Sequence, residues 1–382
     1  MIKLEHLSVL IGLEVNNMSA STIMNKRKQK YQSEWYNLRP LLGHANWALF
    51  YILLGSREAG KSYAITDYFC HMYKTRGIPF IWLRLTDKAA SKLLTNNAEK
   101  LVDPDLRRRY NLNLKTKGNN VYDVVEEEYV TKKGEVKKRE VSRKLFARVY
   151  AISTFYNDKG SIYDNEFLKL DPKNQYLVAI DEFEREKGER NTFDITYSVV
   201  NQLENLLRST KERTKVFFIG NTLESASDIL CAFNYIPETW GTFKLKSKRC
   251  VIENIEPTEK YKERRKGTIA DILMPTASTF TNKQESDNTL IDKRPLITPL
   301  YVIKFTKDKS NWFTVWNNGI IAKFNGEKKR VIAMRPYIDE VYNVDQVKNI
   351  LELFDTRSFH YRNLITFKQF EQQLSLLKPR NN

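Results

Sequence analysis

Hydrophobic positions along this chain fall into short continuous runs separated by stretches of helical period, the pattern of an α/β protein built on an open sheet. Ala48-Leu49-Phe50-Tyr51-Ile52-Leu53-Leu54 is one such run, and from Ser62 to Lys74 the residues Tyr63, Ile65, Phe69 and Met72 recur at helical spacing. Further strands are expected at Pro79–Arg84, at Arg148–Ile152, at 175–182 ending in Asp181-Glu182, and at 215–222 ending in Gly220-Asn221-Thr222. Helices are expected over about Asp87–Leu94 and Ser198–Arg208. Residues 226–274 read as helical and then mixed, and 275–295 as a Thr-, Ser- and Asn-rich linker. Beyond it, Pro299–Phe305, Trp312–Trp316, Gly319–Phe324 and Arg330–Met334 read as four consecutive strands, with turns at Asp308-Lys309-Ser310, Asn317-Asn318-Gly319 and Asn325-Gly326. Two helical patterns, about Val344–Phe354 and Thr366–Leu377, close the chain. The expected organisation is an extension over 1–34, a core over 35–225, a lid or linker subdomain over 226–274, a linker over 275–296 and a second domain over 297–382.

Composition narrows the functional classes. A chain of 382 residues with 41% hydrophobic and 12% aromatic residues can bury two cores. Its formal charge of +17 calls for a polyanionic partner, nucleic acid first. The three cysteines, Cys70, Cys231 and Cys250, lack paired or metal-ligand spacing, which fits a reducing compartment. No apolar run reaches the roughly 18 residues of a membrane span, so a soluble, intracellular protein without a membrane partner is expected.

The sharpest chemical signal lies between the first run and the first helix. Gly55-Ser56-Arg57-Glu58-Ala59-Gly60-Lys61-Ser62 fits the phosphate-loop pattern G-x-x-x-x-G-K-[ST] at every fixed position, in the strand–loop–helix context it requires. Its backbone N–H groups and the helix N-terminus would cradle the phosphates of ATP, Lys61 would reach the β- and γ-phosphates, and Ser62 would ligate Mg²⁺. A strand ending in Asp-Glu is a weak motif alone, but about 120 residues after a phosphate loop it completes an ATPase site. Asp181 would then hold Mg²⁺ and Glu182 would activate the attacking water.

Other residues take positions from this frame. Arg84 ends a strand on the edge where ligands bind in open α/β sheets, Asn221 is placed to sense the γ-phosphate, and Asn37 or Arg39, upstream of the first strand, is placed to contact the base. Arg208 and Arg213 each read either as an arginine finger supplied to a neighbouring subunit or as an ordinary helix-terminal cation. Two basic clusters, Arg107-Arg108-Arg109 and Lys132-Lys133-Gly134-Glu135-Val136-Lys137-Lys138-Arg139, alternate with Glu126-Glu127-Glu128. The second is centred on a turn in an exposed hairpin, and each reads as phosphate contacts or as a solvated face.

Taken together, these ordered motifs resemble the DNA-packaging (encapsidation) ATPases of small tailed phages of the phi-twenty-nine-like type, relatives of terminase large subunits. The resemblance rests on Gly60-Lys61-Ser62-Tyr63-Ala64, Phe80-Ile81-Trp82-Leu83-Arg84, Asp181-Glu182-Phe183 followed by Arg185-Glu186-Lys187, the approach to Asn221, Ser153 with Lys159, and the strand-rich C-terminal block with Asn318-Gly319. It covers about residue 35 to the end. It implies an additional-strand, catalytic-glutamate P-loop ATPase domain followed by an RNase H-like domain. It also implies a homo-oligomeric, typically pentameric ring on the portal of a procapsid in the host cytoplasm, driving double-stranded DNA inward, with a scaffold RNA as a further partner. By the same resemblance Arg208 is the trans-acting finger with Arg213 as its alternative, Arg84 restrains the catalytic glutamate, and Lys159 acts across subunits. One departure concerns the second domain: a nuclease of this kind needs converging carboxylates, whereas its first strand carries Lys304 in that place, with Asp308, Asp339 and Glu340 at turns or ends. The expectation is a domain that binds nucleic acid without cutting it. Against it stand a terminase that also cuts DNA and a nucleotide-switched nucleic-acid-binding protein.

Overall fold

The computed structural model of the chain describes residues 35–130, 135–155, 176–183, 195–207, 214–221, 227–237, 239–273, 275, 290–338 and 342–377. These form two compact units, the described residues of Met1–Leu223 and Thr239–Lys283 in one, and those of Glu224–Glu238 and Gln284–Asn382 in the other.

The first unit holds nine strands: β1 (Phe50–Gly55), β2 (Phe80–Arg84), β3 (Leu114–Lys117), β4 (Asn120–Val130), β5 (Val136–Ala151), β6 (Tyr176–Asp181), β7 (Thr214–Asn221), β8 (Gly241–Leu245) and β9 (Cys250–Asn254). They lie in one sheet in the order β3-β4-β5-β2-β6-β7-β1-β9-β8. From β5 to β9 every neighbouring pair is parallel, and antiparallel partners flank this block at both ends. A parallel sheet is covered on both faces, which explains the unbroken apolar runs: Tyr51, Ile52 and Leu53 are fully buried. The helix Lys61–Arg76 buries Ile65, Phe69, Cys70, Met72 and Tyr73. Phe69 packs edge-on against Phe217 of β7 and Trp82 of β2, so one side chain ties the helix to two strands. Each such side chain contributes about 2 kcal/mol by leaving water. Gly77, at φ +68, ends the helix with its N–H on Tyr73 O.

Two expectations change. Val136–Arg139 of the expected hairpin and Arg148–Ala151 of the expected strand lie in one long strand: β5 is exposed along its charged first half, is buried at Leu145, Phe146, Ala147 and Val149, and pairs with β2 from Ala147 onward. Residues 226–274 are divided. The helix Asp228–Ala232 belongs to the second unit, while β8 and β9 extend the main sheet, where Val251 and Ile252 give β9 a buried strand's sides. The helix expected over about Asp87–Leu94 keeps those bounds: within the span Asp87–Ala98, Thr95 is extended and Asn96 and Asn97 have positive φ, so regular helical backbone stops at Leu94.

The second unit contains β10 (Pro299–Lys304), β11 (Trp312–Trp316), β12 (Ile320–Lys323), β13 (Arg330–Ala333) and β14 (His360–Tyr361), in the order β13-β10-β11-β12-β14. β10, β11 and β12 form an antiparallel meander. Asn325-Gly326 does not close a hairpin, because β13 crosses to the far side and pairs parallel with β10. The crossing is held where Glu327 accepts from the Thr314 hydroxyl. The helices Val344–Asp355 and Leu364–Ser375 are capped by Asn343 and Asn363. Phe370 of the second helix sits fully buried between Phe305 and Phe313. Among the described residues no helix is long and apolar enough to cross a membrane.

Candidate functional site

The parallel block brings the carboxyl ends of β1, β2, β6 and β7 to one edge, and the chemistry-bearing residues collect there. The Gly55–Ser62 loop leaves β1 and enters the helix at Lys61. Gly60 has φ +87, and a Cβ there would lie 3.2 Å from the Trp35 ring, so both conformation and space require glycine. Lys61 is almost fully buried and donates to Gly55 O (2.8 Å), Ser56 O (2.7 Å) and Asn221 Oδ1 (3.2 Å), drawing the loop strand and β7 together through one ammonium. The Ser62 hydroxyl donates to Asp181 Oδ1 at 3.2 Å, from 119 residues away in sequence.

Arg84, at the end of β2, stands between the two carboxylates. It donates to Asp181 Oδ2 at 2.6 Å and to Glu182 Oε2 at 2.5 Å. The Asp181 side chain is 8% exposed and that of Glu182 52%, so one carboxylate faces the protein and the other the solvent. Glu182 has φ +52, a left-handed conformation costly for a residue with a side chain, and its N–H is tied to Ile219 O at 2.9 Å. Phe183 anchors it from below, buried edge-on against Phe218. A Cβ at Gly220 would meet that ring at 2.9 Å. Gly220 is thus part of the site's support, unseen in the sequence because its partner is a side chain 37 residues upstream.

The loop is also held from outside. Tyr36 donates its N–H to Ala59 O (2.9 Å) and its hydroxyl to Glu253 at the end of β9 (2.8 Å). From the helix Glu259–Arg265, Tyr261 donates to Arg57 O (2.8 Å), Arg264 to Glu58 O (2.9 Å) and Arg265 to the Glu58 carboxylate (2.8 Å). In the sequence these residues stand only in a charged run; their place depends on β9, whose pairing with β1 delivers the helix to the loop.

Beside the loop lies a cleft of about 1040 Å³ lined by Asn37, Arg39, Gly60, Tyr63 and Asp67 among others. The structure therefore places both base-contact candidates next to the phosphate loop. Arg109 also lines this cleft, donating to Asp67 (3.1 Å) and the Tyr63 hydroxyl (3.3 Å). Burial, helped by the hydrogen bond to Asp105, pushes the Tyr63 phenol up to about 12. Arg107 donates to Val102 O and Asn97 O, while Arg108 is exposed. The cluster thus splits between chain contacts, the cleft and solvent. On the hairpin Lys138 and Arg139 face Glu128 (3.5 Å) and Glu127 (3.6 Å) across the ladder, and Lys137 lies 3.1 Å from Glu135. Lys132, Lys133, Lys159, Arg208, Arg213, Asp339 and Glu340 lie outside the described residues. In the second unit Lys304 lies 4.1 Å over the Trp312 ring, and Asp308 caps the Lys309–Asn311 turn through Ser310.

For a divalent cation the edge offers hard oxygen donors: the Ser62 hydroxyl beside the Asp181 carboxylate. Among the described residues no group of three or more His, Cys, Asp or Glu is placed to hold a metal ion. Two protein oxygens suit Mg²⁺, which keeps water and substrate phosphates in its remaining positions.

Fold and site together describe a mixed α/β protein with a phosphate-loop motif at the carboxyl edge of a parallel sheet. In sequence the chain is similar to the DNA packaging protein of Bacillus phage phi29, 22% identical over 290 residues, which are 75% of this chain and 74% of that protein. In fold it is similar to the phi-28 gp11 DNA packaging motor, with a TM-score of 0.58 and 14% identity over 91% of this chain and 99% of that one. The bacteriophage phi-29 viral genome packaging motor assembly gives a TM-score of 0.58 and 17% identity over 90% and 99%. No protein-family model matches the chain. The resemblance to phage DNA-packaging proteins read from the motifs thus recurs in sequence and in fold.

Proposed function

We propose that this chain is an ATP-driven motor that packages viral double-stranded DNA into a procapsid. The observation that carries the reading is the convergence of Lys61, Ser62, Arg84, Asp181, Glu182 and Asn221, from four strand ends, onto one edge. β7 lies between the loop strand β1 and the Asp-Glu strand β6, which supports an additional-strand, catalytic-glutamate P-loop ATPase.

In the proposed cycle the loop's N–H groups and Lys61, withdrawn from the carbonyls it now holds, bind the β- and γ-phosphates of ATP. Ser62 and Asp181 would hold Mg²⁺, which would supply positive charge against that developing on the phosphates. Arg84 keeps Glu182 turned aside until the γ-phosphate arrives; Glu182 then orients the attacking water and accepts its proton. Asn221 reads the γ-phosphate, and Asn37 or Arg39 the base. The finger, Arg208 or Arg213, comes from a neighbouring copy, as does Lys159, so the site is completed by a ring, pentameric by analogy. That ring sits on the procapsid portal in the host cytoplasm, with a scaffold RNA as a further partner. The meander of the second unit, followed by a parallel strand on its far side, supports an RNase H-like domain. With Lys304 on its first strand, we assign it nucleic-acid binding without cleavage. The basic stretches at Arg107–Arg109 and Lys132–Arg139 flank the DNA path.

Glu182→Gln tests this reading. It should lower ATP turnover at least a hundredfold while retaining ATP binding, and Lys61→Ala should lose binding. Turnover that survived Glu182→Gln would remove the mechanism's centre.

A further inference from the structure

Glu58 is the one acidic residue in the loop Gly55–Ser62, and it stands at the loop's apex with φ +61. A carboxylate there opposes any polyanion that enters the loop, and because the Glu58 side chain is 66% exposed the repulsion is softened by water to about 1 kcal/mol. The chain answers it from elsewhere. Arg265, 207 residues away, donates to the Glu58 carboxylate at 2.8 Å, and its side chain is only 13% exposed. Arg264 donates to the carbonyl of the same residue at 2.9 Å and lies 4.0 Å over the Trp35 ring, which itself borders Gly60. Tyr261, one helical turn earlier, holds Arg57 O.

We propose that Arg265, supported by Arg264, is a positioning residue for the triphosphate: it offsets the charge of Glu58 and fixes the loop's outer rim, so that the entering phosphates meet a preformed cradle whose rim does not repel them. This rests on the reading of Gly55–Ser62 as an ATP site and names a requirement of it that the loop motif does not contain. The arrangement has a directional consequence. A purely structural clamp would lose its hold whichever partner were removed. A charge-cancelling arginine is needed only while Glu58 is charged.

The experiment is equilibrium binding of a fluorescent N-methylanthraniloyl ATP, with Mg²⁺, to the full chain and its variants, with thermal melts alongside. Arg265→Ala should weaken binding roughly two- to fivefold, in the range of an ion pair whose carboxylate is exposed, and Arg265→Lys should restore part of it. Glu58→Gln should tighten binding about threefold, because it removes a negative charge from the rim that the phosphates approach. The double variant Glu58→Gln/Arg265→Ala should return to within about threefold of the wild type. Unchanged binding in Arg265→Ala, a double variant as weak as Arg265→Ala, or weaker binding in Glu58→Gln would overturn the proposal. Glu58→Gln keeps the test decisive even if Arg265→Ala fails to fold. Failure of the ATP-site reading itself looks different: the wild type would then show no binding that Lys61→Ala abolishes.

Discussion

Two regions of the first unit are dense in charge and use it in opposite ways. At the carboxyl edge, Arg84, Asp181 and Glu182 meet across 97 and 98 residues of sequence, and Lys61 and Asn221 across 160; Lys61 and Asp181 are buried and Arg84 is nearly so, while Glu182 faces solvent. On the β4–β5 hairpin, Glu127, Glu128, Lys138 and Arg139 pair with the residue opposite, and each stays 58% to 66% exposed. Exposed ladder pairs need only a turn and contribute little. Burying Lys61 and the Arg84–Asp181 pair costs desolvation that hydrophobic packing of the same volume would avoid, so their persistence points to chemistry.

The sharpest way to break this contrast is Arg84→Ala. It leaves the buried Asp181 without its cation and Glu182 without its tether. A loss of roughly 2–4 kcal/mol in denaturant unfolding is expected, with turnover lowered about a hundredfold by misplacement of the glutamate. Next comes Gly220→Ala, whose methyl group would displace the buried Phe183 ring beneath Glu182. Melting should report a loss of about 1–3 kcal/mol, and steady-state kinetics a turnover reduced roughly tenfold with ATP affinity retained.

Lys215 offers a buried charge far from the loop. It donates to the Tyr51 hydroxyl at 2.6 Å, and burial lowers its ammonium to about 8. Between that value and the roughly 10.5 of an unfolded lysine the unfolded chain binds more protons, so this residue's contribution to stability rises with pH across the window. The three buried thiols, raised to about 12, pull the other way above their ordinary range. The difference in unfolding free energy between wild type and Lys215→Met isolates the lysine. It should move in favour of the wild type from pH 8 to pH 10, by at most about 1.4 kcal/mol per pH unit; a flat difference would show that the ammonium is not desolvated. The smallest effect belongs to the hairpin. Lys138→Ala and Arg139→Ala should shift stability by less than about 0.5 kcal/mol; if these cations flank the DNA path as proposed, each variant should also flatten the salt dependence of duplex binding by about 0.9 in log–log slope.

The same contrast explains what can be read from the chain. Local signals are legible: the phosphate loop, the strand ending in Asp181-Glu182, and the meander strands of the second unit depend on neighbours in sequence. Residues whose meaning comes from distant pairing are not. Charged residues of Glu259–Arg265 look like a solvated face until β9 pairs with β1 and sets the helix against the loop. Gly220 looks like any strand-end glycine until Phe183 lies on it. β5 reads as two elements because its exposed half carries charges and its buried half apolar residues, so one strand shows two patterns. β14 has only two residues, too short for any period to register.

The central claim is that ATP hydrolysis at this edge is completed by neighbouring copies and serves DNA movement. Steady-state ATP turnover, measured across protein concentration with and without duplex DNA, tests it most directly. The account predicts turnover that rises more steeply than concentration and is stimulated by DNA; a linear, DNA-indifferent response would contradict it.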